Sequence, residues 1–332
     1  VTDPACDLTF SIATYDRPHL LARTLRCCAA QTNRRNLRLE ILVTDNHPSG
    51  NGAAAVDDVA AETTMPLRYQ RETARSMSVL RNAGLKAARG ALIAIIDDDE
   101  FCGPEWLDAL LDARDRTGAD IVLGLRLAVF AAGAPPPYDP TGAMFVRDLH
   151  LKQDAIIDLV GADGRPAYGV GTGNSLLDAA RCCADPEPFD RAFGNAGGED
   201  VEFFMRLYRA GRVLVWAPDA VVTEIVPEHR TTVAYRLLRA RRETQIYVST
   251  HLHYADHKRR AWLVLAAKGA AQMMLGGCIT LLTWEFGSTS RLRGRLLTAV
   301  GRAKLEHRRP VGYIDETSFD TAKPRALPLA LP

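Results

Sequence analysis

The sequence predicts an α/β domain, a mostly parallel sheet flanked by helices, with a helical extension at the C-terminus. Three observations predict it. Short apolar runs alternate with segments of helical period from Leu8 to Leu125. One of those runs, residues 91–96, is apolar throughout, as a strand covered on both faces must be. After residue 230 the alternation stops and the chain becomes basic and helix-like. The 332 residues are 47% hydrophobic and 24% charged, enough for a substantial core, and these fractions exclude disorder, collagen and a disulfide scaffold.

The elements follow in order. Residues 8–13 are a short run of β-formers ending at Thr14-Tyr15-Asp16-Arg17-Pro18. Pro18 suits the first turn of a helix, where its missing N–H costs nothing. Residues 20–31 continue that helix, with Leu21, Leu25 and Cys28 on one face. Residues 39–44 read as a second strand, closed by Asp45-Asn46 and a turn cluster over 47–52. Residues 53–63 read as helix, 67–70 as strand and 79–88 as helix. The strand 91–96 stops abruptly at Asp97-Asp98-Asp99-Glu100. Helix 105–116 and strand 121–125 complete a βαβα rhythm with helices on both faces. The middle is less regular, with a Pro-rich loop over 131–140 and a Gly-rich stretch over 163–173. Helix 199–210 and strands 213–217 and 221–224 end the first domain, residues 1–230.

Formal net charge is +1, so the whole chain is no polycation, and no nucleic-acid partner is expected. The balance hides an asymmetry. Between Arg230 and Arg309 sixteen Lys and Arg meet four Asp and Glu, so that segment carries +12 and the remainder −11. A basic tail on an acidic body could meet an anionic membrane or a diphosphate, or fold as a solvated helical face. Within this second domain, residues 231–332, the stretch 262–284 is nearly all apolar and long enough to cross a bilayer, which takes roughly 20 residues. Lys268, the Gly276-Gly277 pair and positive flanks on both sides argue against a single span. A helical hairpin on the membrane surface, or packed on the body, is expected instead, and a loosely ordered tail after Arg309. The seven Cys are odd in number, include two adjacent pairs and form no C-x-x-C. They point to a reducing cytoplasm rather than a disulfide framework or a zinc knuckle. The opening residues 1–7 have neither a basic n-region nor an apolar h-region, so no secretion signal is expected there. The sequence says nothing of oligomeric state.

Three motifs carry chemistry. The first is the acid run after residues 95–96. Ligands bind at the C-terminal ends of strands in open α/β sheets, and clustered carboxylates there repel unless a hard cation neutralises them. Alternation lets Asp97 and Asp99 point to one side. A solvated capping turn would need fewer acids. The second is Gly197-Gly198-Glu199-Asp200, which opens a helix. Its glycines permit close approach, and its acids suit the helix N-terminus or serve as a general base. The third is Pro227-Glu228-His229-Arg230. A lone His is usually structural, but a neutral imidazole after these strands would complete a carboxylate metal site, and Arg230 could meet phosphate.

Taken in order, SIATYDRP, VTDN, RNAGLKAARG, IIDDDE, GTGNSLL, GGEDVEFFMRLYRAG and EHR make the chain resemble inverting glycosyltransferases of family two, over about residues 8–230. The similarity is greatest to bacterial exopolysaccharide enzymes of the succinoglycan-biosynthesis type, which add sugars to lipid-linked oligosaccharides. The resemblance implies the GT-A fold, Rossmann-like, and the following roles. Thr14 and Tyr15 would line the nucleotide pocket. Asp45 would accept from the base, favouring uracil. Arg81, beside Asn82, and Arg75 would approach the nucleotide or its diphosphate. Asp97 would lie near the ribose. Asp99 would ligate Mg²⁺ or Mn²⁺, with His229 as second ligand, and Asp98 could share that role because three Asp precede Glu100. Asp200 would be the base, Glu199 would help hold the acceptor, and Gly198 and Arg230 would lie toward the acceptor or diphosphate.

The activity so implied moves a sugar from a nucleoside-diphosphate sugar, with UDP-glucose the first choice, to a hydroxyl of a lipid-linked or other glycan, the lipid being a polyprenyl diphosphate. One displacement would invert the anomeric centre. The expected location is the cytoplasm, peripheral on the inner face of the plasma membrane. Two other readings stay open. A sugar-nucleotide nucleotidyltransferase would want a Gly-rich basic loop where this chain has TYDRPH. A non-catalytic scaffold would not need the intact DDDE and GGED runs.

Overall fold

The computed structural model describes residues 6–161, 166–193, 197–283 and 288–306. Trp284, part of the Gly-rich stretch and the tail beyond Arg309 lie outside them. The first elements are β1 (Leu8–Thr14), α1 (Pro18–Ala29), β2 (Leu39–Asp45), α2 (Ala53–Ala60), β3 (Leu67–Arg71), α3 (Met77–Ala87) and β4 (Leu92–Ile95). Then come β5 (Glu100–Cys102), α4 (Trp106–Thr117), β6 (Ile121–Phe130), β7 (Ser175–Asp178), α5 (Ala179–Cys182), α6 (Glu199–Arg209) and β8 (Leu214–Val226). Three long helices close the chain: α7 (Val233–His253), α8 (Lys258–Leu282) and α9 (Ser288–Leu305).

The strands form one sheet in the order β3-β2-β1-β4-β7-β6-β8-β5. Its first half, β3 to β4, is parallel. From β7 onward the pairing turns antiparallel, so the sheet is mixed. The parallel half follows from the apolar runs: every residue of β2 is buried, and Leu8, Phe10 and Ile12 of β1 have no exposed surface. Pro18 stands at the start of α1, as its fixed φ favours. Register then positions the site. Thr14 pairs with Asp45, and Ser11 with Ile95, so the chain ends of β1, β2 and β4 lie along one edge of the sheet.

The structure adds β5 and β7, which the sequence reading lacks, and two further strands differ from it. β6 runs five residues further, to Phe130. The two short strands read at 213–217 and 221–224 are one strand, β8, which passes through Pro218. β5 pairs only with residues 222–224 of β8. On that side Pro218 owes no ladder hydrogen bond, so its missing N–H is tolerated.

The chain divides into two compact units. The first is Val1–Ala128, Phe145–Gly194 and Glu199–Glu224; the second is Val129–Met144, Asn195–Gly198 and Ile225–Pro332. In the first unit, Phe10 and Trp106 stack with ring centroids 6.1 Å apart, and Trp106 Nε1 donates to Asn174 Oδ1 at 2.7 Å.

In the second unit α8 and α9 pack antiparallel. Gly276-Gly277, read from sequence as an interruption, lies inside an unbroken α8. A Cβ at Gly269 would fall 2.7 Å from the Gly301 carbonyl oxygen, and one at Gly276 would fall 2.6 Å from that of Gly294. The pairs recur seven residues apart, so the two helix backbones meet at points about two turns apart. The hairpin expected within 262–284 does not form there: the described residues of that stretch belong to the single helix α8 and the residue that caps it, and the partner helix is α9, further along the chain. Of the described helices, α8 alone is long and apolar enough to cross a membrane. Met274, Leu281 and Leu282 leave about three quarters of their surface uncovered (74%, 75% and 75%).

Candidate active site

The acid turn follows β4. Asp97 is half-buried, while Asp98, Asp99 and Glu100 are buried. Asp98 faces back to the end of β1: Thr14 Oγ1 donates to its Oδ2 at 2.7 Å, and Arg17 reaches its Oδ1 at 3.3 Å. Arg17 also pairs with Asp99. Burial pushes Asp98 up to about 6, against the pull of Arg17. Burial likewise raises Asp97, with Arg81 opposing and Asp99 adding to the rise. Thr14 and Asp98 thus form a buried hydrogen bond that fixes the turn. Asp97 instead lines a small cleft with Ser11, Ala13, Thr44, Arg81 and Phe189.

The structure brings the second motif to the first. α6 begins at Glu199, and Glu199 pairs with Arg81 of α3. Burial pushes Glu199 up to about 7, with Arg81 opposing and the Asp200 and Asp97 charges adding to the rise. Between the acids runs the segment Gly171-Thr172-Gly173. A Cβ at Gly173 would come within 2.6 Å of Asp97 Oδ2 and 2.7 Å of Glu100 Oε1. One at Gly171 would lie 3.1 Å from Asp200 Oδ2. Gly173 therefore leaves room for two carboxylates that any side chain would displace.

Sequence reasoning missed the cations beneath this segment. Arg147 donates to the carbonyl oxygens of Gly173 at 2.6 Å, Gly171 and Gly124 at 3.1 Å, and Asn174 at 3.2 Å. Burial, then Arg126, lowers its pKa to about 10. Arg126 pairs with Glu224 at 3.2 Å, and Glu224 sits opposite Glu100 across β8 and β5. Glu100 is pushed up to about 8 by burial and by Asp97. Its Oε2 accepts from the Asp97 N–H at 3.1 Å. The acid turn thus rests on a buried ionic cluster. Arg126 and Arg147, both partly buried, lie about twenty residues apart in segments with no motif, and no local signal flags them.

The remaining candidates separate. Asp45 is fully buried and accepts from His47 N at 2.7 Å, Gly52 N at 2.9 Å and the Tyr69 hydroxyl at 2.8 Å. A carboxylate offers about four lone-pair sites, so one stays available. Tyr15 packs edge-on against His47, 5.3 Å between centroids. Asn82 is structural: its amide exchanges hydrogen bonds of 2.8 Å with the backbone of Phe189, and Arg81 lies over that ring at 5.6 Å. Arg75 is exposed. Gly198, with φ +93°, belongs to the second unit and meets Ile246 there. His229 and Arg230 also belong to that unit, on a short turn where His229 packs edge-on to Tyr235.

Among the described residues the acids do not converge as a three-donor ligand set. They do fit a divalent cation of another kind. Magnesium in nucleotide sites takes one or two carboxylates and fills its shell from phosphate oxygens. Asp98 and Asp99 are hard oxygen donors, and their mutual repulsion is what a dication relieves.

Comparisons with known proteins show the family and the fold. Residues 9–160 match the model of Glycosyl transferase family 2. Succinoglycan biosynthesis protein ExoM of Rhizobium meliloti is 32% identical over 295 residues, 88% of this chain and 89% of that one. Two solved structures share the fold. TarS 1-349 of S. aureus, in complex with UDP, has a TM-score of 0.53 at 14% identity, covering 92% of this chain and 93% of that one. Mannosyltransferase PcManGT of Pyrobaculum calidifontis, in complex with GDP-Man and Mn²⁺, has a TM-score of 0.55 at 19% identity, covering 92% and 90%. The chain belongs to glycosyl transferase family 2 and is a glycosyltransferase.

Proposed function

We propose that the chain moves a sugar from a UDP-sugar, UDP-glucose first, to a hydroxyl of a lipid-linked or other glycan in exopolysaccharide biosynthesis, with inversion. The observation that carries this reading is the approach of Asp97 and Asp200 to one short segment, Gly171-Thr172-Gly173. A carboxylate for the nucleotide side and one for the acceptor side then stand at the two ends of one three-residue segment. ExoM's part in succinoglycan biosynthesis and the sugar nucleotides bound by TarS and PcManGT support the substrate class.

Asp200 takes the proton of the acceptor hydroxyl as that oxygen attacks the anomeric carbon. The bond to the nucleoside diphosphate breaks on the opposite face, so an α-linked donor gives a β-linked product. No covalent sugar–enzyme ester forms. Glu199, held by Arg81, orients the acceptor. Asp45 offers its remaining lone pair to a uracil N–H, while Thr14 and Tyr15 flank the base. Arg81 and Arg75 approach the diphosphate, and Gly198 and Arg230 are assigned to it or the acceptor by the family resemblance alone. Asp99, with Asp98 and His229 as the further candidate ligands, would hold Mg²⁺ or Mn²⁺, which would neutralise charge on the departing diphosphate.

The exposed apolar surface of α8 and the basic residues around it support a peripheral place on the anionic inner leaflet, where a polyprenyl-diphosphate acceptor would be met. A donor screen by nucleoside-diphosphate release, with membrane lipid extract as acceptor, tests the reaction. UDP release that needs both the lipid and a divalent metal is expected. Pyrophosphate release from a nucleoside triphosphate and a sugar phosphate would replace this reading with nucleotidyl transfer.

A further inference from the structure

Three sulfurs gather where α1 meets β5. Cys27 and Cys28 lie on α1 and Cys102 ends β5, and their Sγ atoms all fall within 4.8 Å of one another. Cys28 is buried, whereas Cys27 and Cys102 are partly exposed. Cys102 Sγ lies 3.2 Å from Cys27 Sγ, and the Cys102 N–H donates to that same sulfur at 3.3 Å. As a thiol, Cys27 can donate in turn to the Thr24 carbonyl at 3.1 Å.

Such a cluster could hold a thiophilic cation or undergo oxidation, and its surroundings favour oxidation. The group beside the sulfurs is the amide of Gln31, which donates to Cys102 Sγ at 3.4 Å. Its Oε1 is committed to the Leu107 N–H at 2.8 Å, so Gln31 presents a proton and not a ligand atom. The Arg23 charge acts on Cys27, opposing a cation and favouring thiolate. Hydrogen bonding from Cys102 is the largest cause of a Cys27 pKa held well below its usual range.

We propose that Cys27 and Cys102 form a reversible disulfide when the protein meets a hydroperoxide. The Cys27 thiolate attacks a peroxide oxygen, the O–O bond breaks, and Cys27 becomes a sulfenic acid as water or an alcohol leaves. The Cys102 sulfur then attacks Cys27, the S–O bond breaks, the S–S bond forms and a second water departs. Two thiols are oxidised by two electrons and one hydroperoxide is reduced by two. The sulfurs must close from 3.2 Å to about 2.05 Å, a small movement. The same seam touches the acid turn, because Thr24 Oγ1 lies 2.9 Å from the carbonyl oxygens of both Asp98 and Glu100. In a reducing cytoplasm such a bond would be transient, as redox-sensing disulfides are.

The test treats the full chain with hydrogen peroxide and follows intact mass, free thiols and peptide maps. The expected result is a fall of about 2 Da with loss of two thiols, a Cys27–Cys102 peptide, and reversal by dithiothreitol. Cys27→Ser and Cys102→Ser should each abolish the cross-link, and Cys28→Ser should keep it. Unreacted thiols, a cross-link at other cysteines, or a gain of about 32 Da on Cys27 without any cross-link would overturn the proposal. So would stoichiometric zinc retained on the purified protein, which would make the cluster a metal centre. The peptide map of the unmutated protein decides the matter even if a variant folds poorly.

Discussion

Arg147 donates to the carbonyl oxygen of Gly173 at 2.6 Å, from beneath the segment that Asp97 and Asp200 approach. The guanidinium holds three further carbonyls in the same fork and sits among Glu100, Asp97 and Glu224. Removing it strands buried acceptors and buried negative charge together. Arg147→Met should lower unfolding free energy by about 3–5 kcal/mol, the usual loss when one partner of a buried ionic group is deleted. Arg147→Lys should recover only part of this, since an ammonium lacks the planar fork. Urea unfolding curves check both, and a wild-type midpoint for the Met variant would contradict the role.

Asp200→Asn should leave UDP-sugar affinity intact and lower turnover by about 10²–10⁴-fold, the range of a positioned general base. Equilibrium binding and initial rates measured on one preparation separate the two effects. Affinity falling as steeply as turnover would make Asp200 a binding residue.

Asp99→Ala should abolish metal-stimulated turnover, and EDTA should do the same to the unmutated enzyme. The motive is the crowding of Asp97, Asp98 and Asp99 at one strand end. Full activity in chelator would remove the metal from the reaction.

Glu199 gives a pH-dependent stability. Its native pKa of about 7 lies above the ordinary glutamate value of 4.5. Between those values the native state binds more protons than the unfolded chain, so this group makes stability fall as pH rises from about 4.5 to 7. Glu199→Gln should flatten the decline in melting temperature over that window. An unchanged slope would mean that Glu199 titrates normally.

Much of the catalytic half was legible because its signals are local. An apolar run that ends in acids marks β4 and its turn, and two glycines before two acids mark the start of α6. The meeting of the two motifs is not local. It depends on β7 returning after a long excursion to pair with β4, and on Arg81 bridging to Glu199 over 118 residues. Arg126 and Arg147 carry no periodicity, and their importance arises only from where burial puts them. Gly276-Gly277 misled for the opposite reason. Read alone, glycine weakens a helix, but here Gly276 admits another backbone.

The C-terminal region should bind anionic liposomes in preference to neutral ones, and high salt should weaken the association by screening. Co-sedimentation checks this. Indifference to lipid charge, with a dimer in solution, would assign the exposed side chains of α8 to a second copy instead.

The seam between α8 and α9 has a consequence for how that arm assembles. The helices touch through glycines and carbonyl oxygens, with Met273 packed at Gly301, while Met274, Leu281 and Leu282 of α8 stay largely uncovered. Close backbone packing depends little on the surrounding medium, unlike a seam zipped by leucines, which would loosen in hydrocarbon. The hairpin can therefore keep one shape in water and in lipid, and it need not refold to pass from one to the other.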